Sequence, residues 1–143
     1  MPVPVEHLLR CHPARPDAAR CQISASAVLT DDGALRLSYR LRGDDILFPA
    51  RTISGPADDL WQHTCCEAFI GAVDTAEYRE FNFSPSGQWA AYRFTEYRVR
   101  DTDFQPADAP QISINQAPDG ELRLTALLPR APCYPPAMNC NSR

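Results

Sequence analysis

The chain reads as an all-β protein, an antiparallel β-sandwich of jelly-roll-like or immunoglobulin-like kind. Apolar residues recur at every second position in short runs, the period of a half-buried strand. Turn signals rich in Gly, Pro and Asp separate the runs, and no window carries a convincing helical period. At 143 residues, 44% apolar and 22% charged, this is one domain of ordinary globular composition.

Residues 1–20 are rich in Pro, Ala and Arg and read as an irregular lead-in with a short strand around Val5–Leu9. The sandwich proper is expected over residues 21–129. Cys21–Leu29 alternates, with Ile23, Ala25, Ala27 and Leu29 on one face. Asp31-Asp32-Gly33 is a hairpin turn, and Ala34–Arg42 is the clearest strand. There Leu35, Leu37, Tyr39 and Leu41 face one way and Arg36, Ser38, Arg40 and Arg42 the other. A loop with Gly43, Pro49, Gly55 and Pro56 follows, with a short strand near Ile46–Phe48. Thr64–Gly71, Tyr78–Ser84 and Gln88–Glu96 are the next strands, the last two joined by the turn Pro85-Ser86-Gly87. After a polar loop over Asp101–Pro110, Gln111–Gln116 and Glu121–Leu128 form a hairpin around Asp119-Gly120. Residues 130–143 break the pattern: Pro132, Pro135, Pro136, Cys133 and Cys140 stand in a segment with neither period nor core, expected to be irregular.

Charge and composition exclude several functions. The net charge of −4 opposes non-specific nucleic-acid binding, which needs a basic footprint. All 14 basic residues are Arg, so lysine Schiff-base chemistry is unavailable. Met1 to Pro16 has no apolar run of signal-peptide length, and no stretch approaches membrane-spanning length. A cytoplasmic protein with reduced thiols is therefore expected, without membrane association. The Cys positions contain no Cys-x-x-Cys pair, and Cys65 and Cys66 point to opposite faces of a strand. His63, Cys65, Cys66 and Cys11-His12 thus make a poor zinc set, and buried thiols are the better reading. Haem held by Met and His is disfavoured because Met1 and Met138 lie at the chain ends. No metal and no cofactor is expected. Ser84-Pro85-Ser86-Gly87 lacks the Gly-x-Ser-x-Gly pattern of an activated serine and reads as a turn.

Aromatic residues concentrate in one stretch. Both Trp, three of five Tyr and four of six Phe lie between Trp61 and Tyr97, interleaved with Glu, Arg and Asn. Such a segment suits one face in a core and another that holds a flat polar ligand, of which a sugar is an example. Trp61 follows a Gly/Pro/Asp loop and precedes Glu67 by six residues; it either stacks on a ligand or covers the open end of the sandwich. Tyr78, Glu80, Asn82 and Ser84 share parity and form either a polyol-binding face or a solvated one. Glu67 and Glu80 supply two carboxylates on neighbouring strands, the minimum for a glycosidase, with nothing in the sequence to set their separation.

The run Leu60-Trp61-Gln62-His63-Thr64-Cys65, Glu67-Ala68-Phe69, then Tyr78, Glu80-Phe81-Asn82-Phe83-Ser84-Pro85-Ser86-Gly87, Trp89-Ala90, Tyr92, Phe94 and Tyr97-Arg98 resembles the DOMON-like family of small bacterial proteins. That family is similar to family 9 carbohydrate-binding modules. The resemblance spans about residues 5–130 and implies a sandwich that clamps a sugar between aromatic rings, with a carboxylate and an Arg nearby. Trp61 and Glu67 match the first clamping Trp and its following Glu; Trp89 and Arg93, on one strand parity, complete the expected ligand-binding set. Two departures stand out. Cys66 replaces a bulkier apolar residue, and the chain turns into the Pro/Cys segment where the family continues into further strands with a second clamp aromatic. The resemblance therefore implies a sandwich short of its last strands, with an open edge through which copies could pair. The expectation is a non-catalytic module for a carbohydrate or related small polar ligand. The alternatives are an assembly domain with no small ligand, or a glycan-active enzyme using Glu67 and Glu80.

Overall fold

The structure is a computed structural model that describes residues 6–8, 21–43, 48–62, 64–71, 74–129 and 137–142, with backbone alone for Cys21, Trp61 and 137–142. It is an all-β sandwich of two sheets. The first sheet has the order β1-β2-β3-β10-β9, from β1 (His7–Leu8), β2 (Cys21–Leu29), β3 (Leu35–Gly43), β9 (Gln111–Gln116) and β10 (Leu122–Leu128). The second has the order β11-β5-β6-β7-β4, from β4 (Gly55–Pro56), β5 (Cys66–Gly71), β6 (Tyr78–Phe83), β7 (Gln88–Glu96) and β11 (Ala137–Ser142). A two-residue strand, β8 (Val99–Arg100), also pairs with β7. No helix among the described residues is long and apolar enough to cross a membrane.

In the first sheet the period of two translates directly into layers. Along β3, buried Leu35, Leu37, Tyr39 and Leu41 alternate with Arg36, Ser38, Arg40 and Arg42. β10 does the same with Leu122, Leu124, Ala126 and Leu128, and pairs with β3 in the register Leu124↔Tyr39 and Leu128↔Leu35. These side chains meet Cys66, Ala68, Ile70, Phe81, Phe83 and Trp89 of the second sheet in one continuous core. Tyr39 crosses it: its hydroxyl donates to the Glu67 carbonyl oxygen at 3.0 Å, and its ring lies 6.3 Å from that of Phe83.

The turns follow their sequence chemistry. Gly33, Gly87 and Gly120 have φ of 84°, 98° and 89°, the left-handed conformations that these hairpins require. In the Ser84–Gln88 turn the Gly87 N–H donates to Ser84 O and the Ser84 N–H to Gln88 O, each at 2.9 Å. That closure sets the register Phe83↔Trp89, and with it which residues of β6 and β7 stand side by side.

Four features depart from expectation. The stretch 137–142 is a strand, not irregular chain: β11 pairs antiparallel along the whole of β5, from Ala137↔Gly71 to Ser142↔Cys66. The β5 edge of the second sheet is thereby covered. β4, inside an expected loop, pairs in parallel with β7 through Gly55↔Gln88, so the sandwich is not wholly antiparallel. β8 continues β7 across a tight turn, and Leu60–Gln62 forms a short 3-10 helix. Most of the lead-in over residues 1–20, His63 and most of the strand expected near Ile46–Phe48 lie outside the described residues.

On the outer side of the first sheet, three Arg converge on one carboxylate. Glu121, immediately before β10, is buried and accepts from Arg40 Nε at 2.9 Å, Arg42 at 3.0 Å and Arg123 Nε at 2.9 Å. The Arg40 fork, then Arg123, lowers its pKa from an ordinary 4.5 to about 2. A carboxyl whose folded pKa is depressed contributes stability above its unfolded value and loses it as pH falls through the folded one. Thermal melts by circular dichroism should therefore show a midpoint that drops between about pH 4.5 and pH 2. Glu121→Gln should flatten that part of the profile; an unchanged acid limb in the variant would dissociate the cluster from acid stability.

Candidate functional site

The outer face of the second sheet carries an open concavity of about 870 Å³. Strand alternation builds its floor. With Cys66, Ala68 and Ile70 turned to the core, Glu67 and Phe69 turn outward; with Phe81 and Phe83 inward, Glu80 and Asn82 turn outward. The register then aligns Glu67, Asn82 and Ala90 in one row and Phe69, Glu80 and Tyr92 in the next. Phe94 extends the floor, Asp58 and Asp59 approach from the segment after β4, Arg98 from the β7–β8 turn and Arg100 from β8.

Two of these residues are almost sealed from solvent. Glu67 is 1% exposed and Asn82 3%. The Asn82 Oδ1 has no hydrogen-bond partner among the described residues. Leaving a buried amide oxygen unsatisfied costs about 1–3 kcal/mol, so such an atom beside a concavity points to a donor arriving from outside the fold.

The walls are held by aromatic and charged contacts. Tyr92 Oη donates to Asp58 Oδ1 at 2.8 Å, and the Arg100 guanidinium lies 4.2 Å from the Tyr92 ring centre. Burial first, then the bond to Asp58, pushes the Tyr92 phenol up to about 12, so it stays protonated across the physiological range. Tyr78 and Phe94 stack at 4.8 Å with ring planes 7° apart, and the Tyr78 hydroxyl accepts from the Arg98 N–H at 3.2 Å. Asp59 and Arg98, both with φ of 61°, are the two non-glycine residues in the left-handed region among the described residues, and both line the concavity. Left-handed backbone costs an L-residue about 1–2 kcal/mol, and such strain gathers at functional sites.

Of the four residues expected to bind ligand, Glu67 alone is shown in this concavity. Trp89 is turned the other way, 7% exposed in the core against Phe83, because β7 places it on the inner parity with Ala91. Arg93 shares that parity; it bonds Glu77 Oε1 and Asp101 Oδ2, each at 2.7 Å, which raises its own pKa and lowers that of Asp101. Neither joins Glu67. The Trp61 side chain lies outside the described residues. Of the face expected from Tyr78, Glu80, Asn82 and Ser84, Glu80 and Asn82 line the concavity together with Glu67; Tyr78 stacks on Phe94, and Ser84 is buried in the turn, where its hydroxyl accepts from the Ser86 hydroxyl. Asp58, Asp59, Tyr92, Phe94, Arg98 and Arg100 were not anticipated. The signal for Tyr92 and Phe94 lay in the Pro85-Ser86-Gly87 turn: once it closes on Phe83↔Trp89, the residues facing Asn82 and Glu80 are Ala90 and Tyr92. Cys65 and Cys66 do face opposite sides, Cys66 in the main core and Cys65 with Leu60 and Ala90 on the outer side. Among the described residues no group of three His, Cys, Asp or Glu stands ready for a metal ion.

Comparison with protein-family models, with curated proteins and with solved structures found no match to this chain.

Proposed function

We propose that the protein is a non-catalytic binding module for a saccharide or related small polyhydroxylated ligand, seated on the outer face of the second sheet. The observation that carries this reading is Asn82, a buried amide with an unmatched oxygen on the floor of the concavity. The volume suits a small molecule, which pockets of about 300–1,000 Å³ enclose. Acceptors on the floor (Glu67, Glu80, Asn82), donors on the wall (Arg98, Arg100) and the exposed edges of Tyr92 and Phe94 match a ring with hydroxyls around it and C–H faces above and below. The resemblance to DOMON-like and family 9 carbohydrate-binding proteins points the same way, although the aromatic groups offered here are Tyr92 and Phe94, not Trp89.

The test is a thermal melt with a panel of saccharides, followed by circular dichroism. A ligand that binds only the folded state adds about 2.7 kcal/mol at one hundred times its Kd, so a bound sugar should raise the midpoint in a concentration-dependent way. Asn82→Leu should remove that shift while melting at or above the wild-type midpoint, since the unmatched oxygen goes with the side chain. Release of reducing ends, lost in Glu67→Gln, would replace the binding reading with hydrolysis. Self-association with no sugar shift would overturn it in favour of assembly through β9, the strand on which the first sheet ends.

A further inference from the structure

Two arginines of the concavity differ from the paired arginines found elsewhere in the fold. Arg40, Arg42 and Arg123 share the Glu121 carboxylate, and Arg93 spans Glu77 and Asp101. Arg98 and Arg100 line the concavity, and among the described residues neither guanidinium pairs with a carboxylate. Each lies over an aromatic face instead, Arg100 4.2 Å from the Tyr92 ring centre and Arg98 5.1 Å from that of Tyr97. A stacked guanidinium is held through its face, which leaves the N–H groups along its edge to donate elsewhere. The turn that carries Arg98 is fixed as well. Its backbone is left-handed at φ 61°, and its N–H donates at 3.2 Å to the Tyr78 hydroxyl, whose ring stacks on Phe94 of the floor.

We infer that this site takes an acidic saccharide of the uronate class, whose carboxylate is received by Arg98 and Arg100. This rests on the saccharide reading above. A planar carboxylate matches the parallel N–H donors of a guanidinium edge, which a lone hydroxyl does not. The carboxylates nearby do not fill that role. Asp58 accepts from Tyr92 Oη at 2.8 Å, Glu67 and Glu80 have interactions of their own within the chain, and Asp59 is exposed, where solvent screens it. Asn82 supplies the second contact: it is 3% exposed, and its Oδ1, unmatched among the described residues, stands ready to accept from a ring hydroxyl. Its partner across the sheet is Ala90, two residues before Tyr92. The Asn82 row and the Tyr92 row, where Arg100 stacks, therefore lie about 7 Å apart along the strand. One sugar ring with a carboxylate on its rim covers that span.

Isothermal titration calorimetry with matched sugars at neutral pH separates this inference from the reading beneath it. The probes are glucose with glucuronate, galactose with galacturonate, the amide of each uronate, and glucosamine. At least one uronate should bind about tenfold more tightly than its neutral parent, the effect of one charge-assisted contact. Its amide, which keeps the shape without the charge, should lose the gain, and raised salt should shrink it. Arg98→Gln combined with Arg100→Gln should bring the uronate-to-neutral ratio close to one. Arg36→Gln removes the same charge from the outer side of the first sheet and should leave that ratio unaltered. An equal drop in Arg36→Gln, or neutral or aminated sugars that bind as tightly as the uronates, overturns this inference and leaves the saccharide module standing. Binding of none of the sugars overturns both.

Discussion

Trp89→Ala should destabilise the domain by about 3–5 kcal/mol, the cost of deleting a buried aromatic side chain from a packed core. The indole is 7% exposed and lies among Phe83, Ala91 and the first-sheet leucines. Its backbone is held from both sides, by Phe83 in β6 and by Pro56 in β4, and its carbonyl accepts from the Ala57 N–H at 2.9 Å. The strand therefore has little freedom to collapse into the space that alanine leaves. Natural domains are stable by only about 5–15 kcal/mol, so this single change removes a large share of the total. Urea unfolding followed by circular dichroism measures it; Trp89→Phe, which keeps a ring in place, should lose much less. The opposite pattern, a variant as stable as wild type that no longer binds saccharide, would return Trp89 to the ligand site and sink the core assignment.

Why Trp89 reads as a ligand residue in the sequence, and as core in the structure, is a matter of which strands have two buried faces. β3 faces solvent on one side, so its apolar and polar residues separate cleanly and its inward residues are legible; β10 follows the same alternation except at Leu127, an apolar residue on the outer parity. β5 and β6 do not separate. In β5 the residues Cys66, Glu67 and Ala68 are buried in succession, and in β6 so are Phe81, Asn82 and Phe83. β7 adds aromatic groups on both parities, Trp89 inside and Tyr92 outside. Hydrophobicity then no longer says which face is the core, and an aromatic residue near an Arg looks like a clamp wherever it points. The parity of Glu80 and Asn82 was right because it needs only alternation within one strand. The partnership of Glu67 with Asn82 needed the register across strands, which a turn sets and composition does not.

The short strands were illegible for a different reason. β4 and β8 have two residues each, too few to show a period, and exist because β7 offers unpaired backbone beside them. β11 has no β-branched residue and only the brief alternation of Met138 and Cys140 with Asn139 and Asn141, and its pairing along β5 is set by the edge available to it.

Tyr39→Ala should be as costly as the Trp89 change, about 3–5 kcal/mol, and it tests how the core reaches the site. Tyr39 belongs to the first sheet, paired with Ala25 on one side and Leu124 on the other, and is 1% exposed. Its ring tilts against Phe83, while its hydroxyl donates across the interior to the carbonyl of Glu67. The residue whose side chain forms the deepest row of the concavity is thus tied through its backbone to the opposite sheet. Tyr39→Phe isolates that tie, because the ring remains and only the hydroxyl goes. It should cost about 1 kcal/mol in urea unfolding, the net worth of one buried hydrogen bond. It should also weaken saccharide binding several-fold in calorimetry, since Glu67 would no longer be fixed in depth and a misplaced acceptor loses much of its bond. A Tyr39→Phe protein with reduced stability but unaltered affinity would mean that β5 holds Glu67 through its own ladder with β6 and β11, and that core and site are built independently.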